Sequence, residues 1–163
     1  MAEKILSRDR LANICEDARS HDKKIVFTNG CFDILHVGHV RYLKQASSLG
    51  DILIVGLNSD SSVNLIKGAN RPIIDENARA EIISSLYFVD YVTVFSEPDP
   101  LALIRLLRPD ILVKGSDWAE DKIIGADFVK SYGGRVVRVK LTPRVSTTGI
   151  IEMIIRRYGR TES

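Results

Sequence analysis

The chain has 163 residues and a formal net charge of +2, from 23 Lys and Arg against 21 Asp and Glu. A hydrophobic share of 45% and a charged share of 27% are those of one globular domain with a proper core, and they leave no general basic field for nucleic acid. No apolar run approaches membrane-spanning length, and the two cysteines, Cys15 and Cys31, suggest no disulfide framework, which points to a reducing compartment with the cytoplasm as the simplest address.

Ser7 is placed to cap a helix over 7–19, where Leu11, Ile14, Cys15 and Ala18 recur at helical spacing; residues 1–22 are expected as a helical extension. A strand over 24–28 leads into Thr28 to His39, TNGCFDILHVGH. Here Gly30 permits a tight turn off the strand, and Gly38 lets the following helix come close to a ligand. His36 and His39 are three apart, so they lie on one face of that helix, a turn from each other. A helix N-terminus presents unpaired N–H groups and positive partial charge, which suit a phosphate. Two imidazoles there add donors aimed at the same anion.

Val40, Leu43, Ala46 and Leu49 mark the apolar face of this helix, and Gly50 is placed to end it. The continuous apolar run over 51–57 has the pattern of a strand covered on both faces. Residues 58–75 form a longer polar connection with Lys67, Gly68, Arg71 and Pro72, of a length often functional in compact domains. Asp75 caps a helix to about residue 86, with Ala78, Ile82 and Leu86 inward. A strand over 91–95 follows. Asp99-Pro100 then starts a helix, with Pro at the first helical position.

A strand over 110–113 runs into Lys114-Gly115-Ser116-Asp117-Trp118. The helix over 125–132 stops at Gly133-Gly134, a strand covers 135–141, and Ser146-Thr147-Thr148 opens a last helix carrying Ile150, Ile151, Ile154 and Ile155. Arg156, Arg157 and Arg160 close the chain, where a helix dipole favours cations. The alternation of strands and helices means an α/β fold, a parallel sheet with helices on both faces. In such sheets ligands sit beyond the carboxyl ends of the strands, where strand order reverses. The first and fourth strands end in the two most polar, glycine-containing turns, the expected rims of a site. No Walker sequence and no GxGxxG follows any strand, so P-loop and dinucleotide readings lose their usual support.

The residues leave some roles open. His36 and His39 also read as polar helix-start residues of no special role, or as metal ligands with Cys31 or Asp33. Zinc helices more often space their histidines i, i+4, and no second cysteine pair completes a site. Asp33 reads as the holder of the turn, accepting backbone N–H bonds. Ser146-Thr147-Thr148 also reads as an ordinary N-cap, and Trp118 as core packing.

FDILHVGH is followed in order by VGLNSD (55–60), KGANRPI (67–73), RPDILVKGSDW (108–118), GGRVV (133–137) and STT (146–148). With these segments the chain resembles the nucleotidyltransferases that bear a His-x-Gly-His signature on a Rossmann-like fold. Within them it is most similar to the adenylyltransferase part of the bifunctional heptose phosphate kinase/adenylyltransferases, over about residues 23–158. Because the sugar kinase that precedes the domain in the fused proteins is missing, a stand-alone enzyme is expected. The resemblance implies a Rossmann-like, doubly wound, five-stranded parallel sheet and a single nucleotidyltransferase domain over 1–163. It implies transfer of AMP from ATP to D-glycero-D-manno-heptose 1-phosphate, giving ADP-heptose and pyrophosphate for lipopolysaccharide core biosynthesis. The rival is a cytidylyltransferase acting on glycerol 3-phosphate or a similar alcohol phosphate, and a catalytically silent nucleotide-binding module is a different class of reading.

By the same resemblance, His36 and His39 are the catalytic pair, bonded to the α-phosphate and the leaving bridge oxygen. Asn29, Gly30, Cys31, Phe32, Gly38, Lys114, Gly115, Asp117, Arg144, Ser146, Thr147 and Thr148 would contact the nucleotide. Asn58 and Asp60 would meet the sugar hydroxyls, and Lys67, Arg71 and Arg79 the sugar phosphate or the triphosphate. Mg²⁺ would arrive with ATP, bound mainly through its phosphates rather than at a protein metal site, and a homodimer or higher homo-oligomer is expected, with no nucleic-acid or membrane partner. Two departures stand out. Cys31 occupies a position where many cytidylyltransferases have Thr, and the stretch from Thr142 to Thr148 is shorter than theirs. The chemistry fits: a sugar phosphate oxygen is already largely ionised at neutral pH, with a second pKa of about 6, so no general base or covalent nucleophile is required. The demand is to bring two anions together and to steady charge at the α-phosphate.

Overall fold

The structure, a computed structural model, describes residues 3–159; Arg160 of the C-terminal cluster lies outside them. In chain order the elements are α1 (Arg8–Ser20), β1 (Ile25–Gly30), α2 (Val37–Ser47), β2 (Ile52–Asn58), α3 (Asp60–Lys67) and α4 (Glu76–Ser84). There follow β3 (Tyr91–Phe95), α5 (Leu101–Leu107), β4 (Ile111–Gly115), α6 (Ala126–Ser131), β5 (Arg135–Val139) and α7 (Thr147–Tyr158). The five strands pair in the order β3-β2-β1-β4-β5, all parallel. From β1 the chain winds outward through β2 and β3, then crosses back to β4 and β5 on the other side. The order therefore reverses between β1 and β4, and their carboxyl ends frame a crevice.

Each face of the sheet has its own apolar layer. One joins Leu11, Cys15 and Ala18 of α1 to Leu103, Ile104 and Leu107 of α5 and Val129 of α6. The other joins Leu43 and Ala46 of α2 to Ala80 and Ile83 of α4. Helix α1, expected as an extension, is thus part of the first layer. The residues before it also cover the β3 edge, since Leu6 N donates to Val92 O and Val92 N to Lys4 O, each at 2.9 Å. Edge strands left bare invite pairing with other chains.

Local signals placed most ends correctly. Ser7 caps α1 by accepting from Arg10 N, and Asp75 caps α4 by accepting from Asn77 N and Ala78 N. Other details differ, among them the end of β5, at Val139 rather than residue 141. Strands β1 and β4 each run two residues further than expected, to Gly30 and Gly115, because ladder pairing carries the extended backbone into the polar turns. The 58–75 connection contains a helix, α3, held by Ser59 accepting from Ser62 N and by Asn58 Nδ2 donating to Ser62 Oγ at 2.9 Å. This helix is short and buries only Val63 of its apolar residues, with Leu65 and Ile66 exposed, so its capping bonds mark it more than its core contacts do. The inward face of α4 is Arg79, Ala80 and Ile83, while Ile82 is exposed. An arginine on the buried face hides that face from a hydrophobic reading. Pro100 sits at the cap of α5 rather than in its first turn, and Asp99 Oδ1 accepts from Leu101 N at 2.8 Å.

Candidate active site

The crevice at the ends of β1 and β4 is a cleft of about 580 Å³. Its floor is the turn from β1 to α2. Phe32 and Ile34 there take left-handed backbone conformations, with φ of 47° and 49°, which side chains other than glycine adopt rarely. Asp33 between them is buried, and its carboxylate accepts from Ile73 N at 2.9 Å, Ile74 N at 3.0 Å and Arg71 Nε at 2.7 Å. Asp33 does accept backbone N–H bonds, as expected, but from the α3–α4 loop rather than from its own turn. Burial alone would raise this carboxyl; the two amides and the guanidinium outweigh burial and hold it below the usual carboxylate range.

His36 caps α2, its Nδ1 accepting from His39 N at 3.4 Å. An accepting Nδ1 puts the ring proton on Nε2, as a donor for a ligand. The His36 and His39 rings stack with centroids 3.7 Å apart and planes 18° from parallel. The edge of Phe32 closes on His39 at 5.3 Å. Burial, then the neighbouring His36, pushes His39 down to about 4, and burial lowers His36 as well, so both are neutral imidazoles at pH 7. Gly38 makes the arrangement fit: a Cβ there would stand 2.9 Å from His36 Cε1. Stacked parallel rings do not converge their lone pairs on one metal. Among the described residues no group of three His, Cys, Asp or Glu is arranged to hold a metal ion. His39 Nδ1 is a buried atom with no hydrogen-bond partner among the described residues, a deficit a ligand or water can relieve.

The opposite rim comes from β4. Lys114 Nζ donates to Asn29 Oδ1 and lies 5.9 Å over the Trp118 ring. Burial pushes its ammonium down to about 8. Tyr42 of α2 braces the two strands from behind, its hydroxyl meeting Thr28 Oγ1 at 2.8 Å and donating to Val113 O at 3.1 Å.

The third wall is the start of α7. Ser146 Oγ accepts from Gly149 N at 3.1 Å, the ordinary N-cap, and Thr147 Oγ1 donates to Asp33 O at 2.7 Å. The Thr147 proton is therefore spent on the turn, whereas Ser146, which only accepts, keeps its own proton to donate. What α7 offers a ligand is its N-terminal amides with the Ser146 and Thr148 hydroxyls. Helices α2 and α7 begin on the same space, so two positive dipole ends face one cleft.

Most of the expected residues line this cleft: Asn29, Gly30, Cys31, Phe32, His36, Gly38, His39, Asn58, Lys67, Arg71, Lys114, Gly115, Asp117, Ser146, Thr147 and Thr148. Three do not: Asp60, Arg79 and Arg144. Arg79 is 1% exposed and donates from Nε to Ile74 O at 2.8 Å, from Nη2 to Asp60 Oδ1 at 2.7 Å and from Nη1 to Cys31 O. It and Asp60 brace the loops behind the cleft. Arg144 is exposed with φ of 61°, and Val145 faces the cleft in its place. Burial pushes the Cys31 thiol up, away from the reactive thiolate form. Sequence reasoning missed Tyr42, Ile66, Ile123, Ile124 and Leu141, which add apolar wall. Their types signal core, and only the packing of their separate segments around the crevice marks them as lining.

Residues 27–157 match the family model described as cytidylyltransferase-like. The chain belongs to the cytidylyltransferase-like family. The bifunctional protein HldE of Geobacter metallireducens is 54% identical over 156 residues, 96% of this chain and 32% of that protein. This family member thus spans about a third of the length of the curated relatives it matches. The crystal structure of the lipopolysaccharide core biosynthesis protein from Thermoplasma volcanium is similar at a TM-score of 0.60 and 34% identity, over 74% of this chain and 97% of that one. The pantoate-beta-alanine ligase of Francisella tularensis, solved with beta-gamma ATP and beta-alanine, reaches a TM-score of 0.66 over 95% of this chain and 80% of its own. At 18% identity that likeness is one of fold. In this cytidylyltransferase-like chain the matched residues carry the whole cleft from β1 to the start of α7.

Proposed function

We propose that the chain transfers AMP from ATP to a heptose 1-phosphate, releasing pyrophosphate and forming ADP-heptose for lipopolysaccharide core biosynthesis. The observation that carries this reading is the meeting of two helix N-termini and a stacked pair of neutral histidines in one cleft. The heptose assignment is supported by a relative 54% identical and named bifunctional protein HldE, and by a 34% identical structure named for lipopolysaccharide core biosynthesis.

In this reading an oxygen of the sugar phosphate attacks the α-phosphorus in line, and the bond from that phosphorus to the bridging oxygen of pyrophosphate breaks. Neutral His36 and His39 donate N–H bonds to the α-phosphate and the bridge oxygen, where charge grows. The α7 start holds the β- and γ-phosphates. Lys114 supports the nucleotide from the β4 rim, and Lys67 and Arg71 receive the acceptor phosphate. Asp117 is the cleft carboxylate that makes no hydrogen bond among the described residues, since Asp33 and Asp99 are both engaged. That donor set fits a Mg²⁺ ion held mainly by phosphate oxygens and water, whose contribution is to neutralise the triphosphate. ATP as substrate accords with a cytoplasmic address. The outward Ile154 and Ile155 of α7, 50% and 62% exposed, suit contact with a second copy.

The test is pyrophosphate release with ATP or CTP across a panel of heptose, hexose and polyol phosphates. ATP with a heptose 1-phosphate is expected to give the highest kcat/KM. Preference for CTP with glycerol 3-phosphate would replace this reading with the cytidylyltransferase one. Tight ATP binding with no release from any acceptor would leave a binding module.

A further inference from the structure

Asp33 joins three segments that approach the cleft from different directions. One carboxylate oxygen accepts from both Arg71 Nε and Ile73 N, and the other accepts from Ile74 N. Its backbone carbonyl accepts from Thr147 Oγ1. The α3–α4 loop and the first residue of α7 are thus fastened to a single residue of the β1–α2 turn. The carboxylate does not bind ligand: its oxygens are spent, and it is 1% exposed.

The pairing with Arg71 is selective. A guanidinium has five N–H donors in a fixed fork. Asp33 occupies the Nε donor, and the four Nη donors have no partner among the described residues. Arg71 lines the cleft with its side chain 16% exposed, so those donors face the space a second phosphate would enter. On the other side, Thr147 fixes where the N-terminal amides of α7 point. The flanking Phe32 and Ile34 sit in left-handed conformations, which persist only where the surroundings over-determine them. The four contacts of Asp33 supply that constraint.

We infer that Asp33 is a positioning residue that couples the acceptor-phosphate wall of the cleft to its triphosphate wall. The inference rests on the proposed nucleotidyl transfer. A triphosphate seated on the start of α7 steadies Thr147 and, through the Asp33 carbonyl, the turn. The same turn holds Arg71, so the acceptor then meets a guanidinium already aimed. Coupling of this kind is reciprocal and is commonly about 5- to 150-fold in affinity.

The experiment is titration calorimetry of the parent, Asp33→Asn and Thr147→Val with α,β-methylene ATP and a heptose 1-phosphate, each alone and with the other saturating. Steady-state KM and kcat are measured beside it. In the parent, each ligand is expected to tighten the other by about fivefold or more. Asp33→Asn is expected to reduce that coupling below about twofold and to raise the acceptor KM at least tenfold, with the affinity for α,β-methylene ATP in the absence of acceptor changed by less than about threefold. Thr147→Val cuts the carbonyl link alone, so it is expected to remove the coupling while leaving acceptor affinity without nucleotide unchanged. Parent-like coupling in both variants would overturn the inference. So would a proportional rise of both KM values in Asp33→Asn, the mark of a merely structural residue. If Asp33→Asn fails to fold, Thr147→Val decides the matter. A parent that turns over while its ligands bind independently refutes the coupling alone, whereas a parent that releases no pyrophosphate refutes the functional reading.

Discussion

The imidazoles of His36 and His39 stack 3.7 Å apart, and the backbone N–H of His39 donates to His36 Nδ1. One residue thereby caps the helix and fixes the ring beside it. The two roles separate by mutation. His36→Ala and His39→Ala are each expected to lower kcat by about 10²–10³-fold, the cost of one lost donor at a developing charge. His36→Ala should also destabilise the fold by about 1 kcal/mol through the lost cap. His36→Asn should restore the melting temperature without restoring turnover, as thermal melts read beside pyrophosphate release will show.

His39 contributes a pH dependence of known sign. In the unfolded chain its pKa is about 6.5, and burial holds it at about 4 in the fold. Between those values the unfolded chain binds the extra proton, so stability falls as pH drops from about 6.5 toward 4. The full loss is about 3 kcal/mol. Denaturant melts across this range are expected to show the slope in the parent and a flatter profile in His39→Gln.

Lys114 titrates at the other end of the scale. Burial lowers its ammonium to about 8, so above that pH the empty cleft loses a positive charge. The ATP KM is expected to rise as pH increases through about 8, and Lys114→Arg, charged throughout, should flatten the rise. The effect on stability has the opposite sense. Between about 8 and the ordinary lysine value the folded state has already shed the proton that the unfolded state keeps, so raising pH favours folding.

Arg79 and Arg144 should fail in different assays. Removing the buried Arg79 leaves Asp60, Ile74 O and Cys31 O without their donor. Arg79→Met is therefore expected to cost about 1–3 kcal/mol, mainly through the two stranded carbonyls because Asp60 is part-exposed, read in denaturant melts. Arg144→Ala, exposed and outside the cleft, should leave kcat and both KM values within about twofold.

Gly38→Ala sets activity against helix propensity. Alanine favours the first turn of α2 by up to about 1 kcal/mol, yet its Cβ displaces the His36 ring. The expected outcome is an unchanged or raised melting temperature with kcat lowered at least tenfold.

The central strands β1, β2 and β4 were legible because they are buried on both faces and read as largely apolar runs, and the helix starts because Ser7, Asp75 and Ser146 are local caps. Helix α3 was not legible, since capping hydrogen bonds and one buried valine, Val63, hold it in place of an apolar stripe.

What the amino-acid order determined by itself is chemistry carried within one turn of chain: a strand, a glycine turn, and two histidines at the head of a helix. Only the tertiary structure decided among the arginines. Arg71, Arg79 and Arg144 bear the same group, yet one lines the cleft against Asp33, one is sealed behind it, and one points to solvent. Their spacing carries no trace of that difference, because it depends on which distant carboxylate or carbonyl each side chain meets after the sheet has closed.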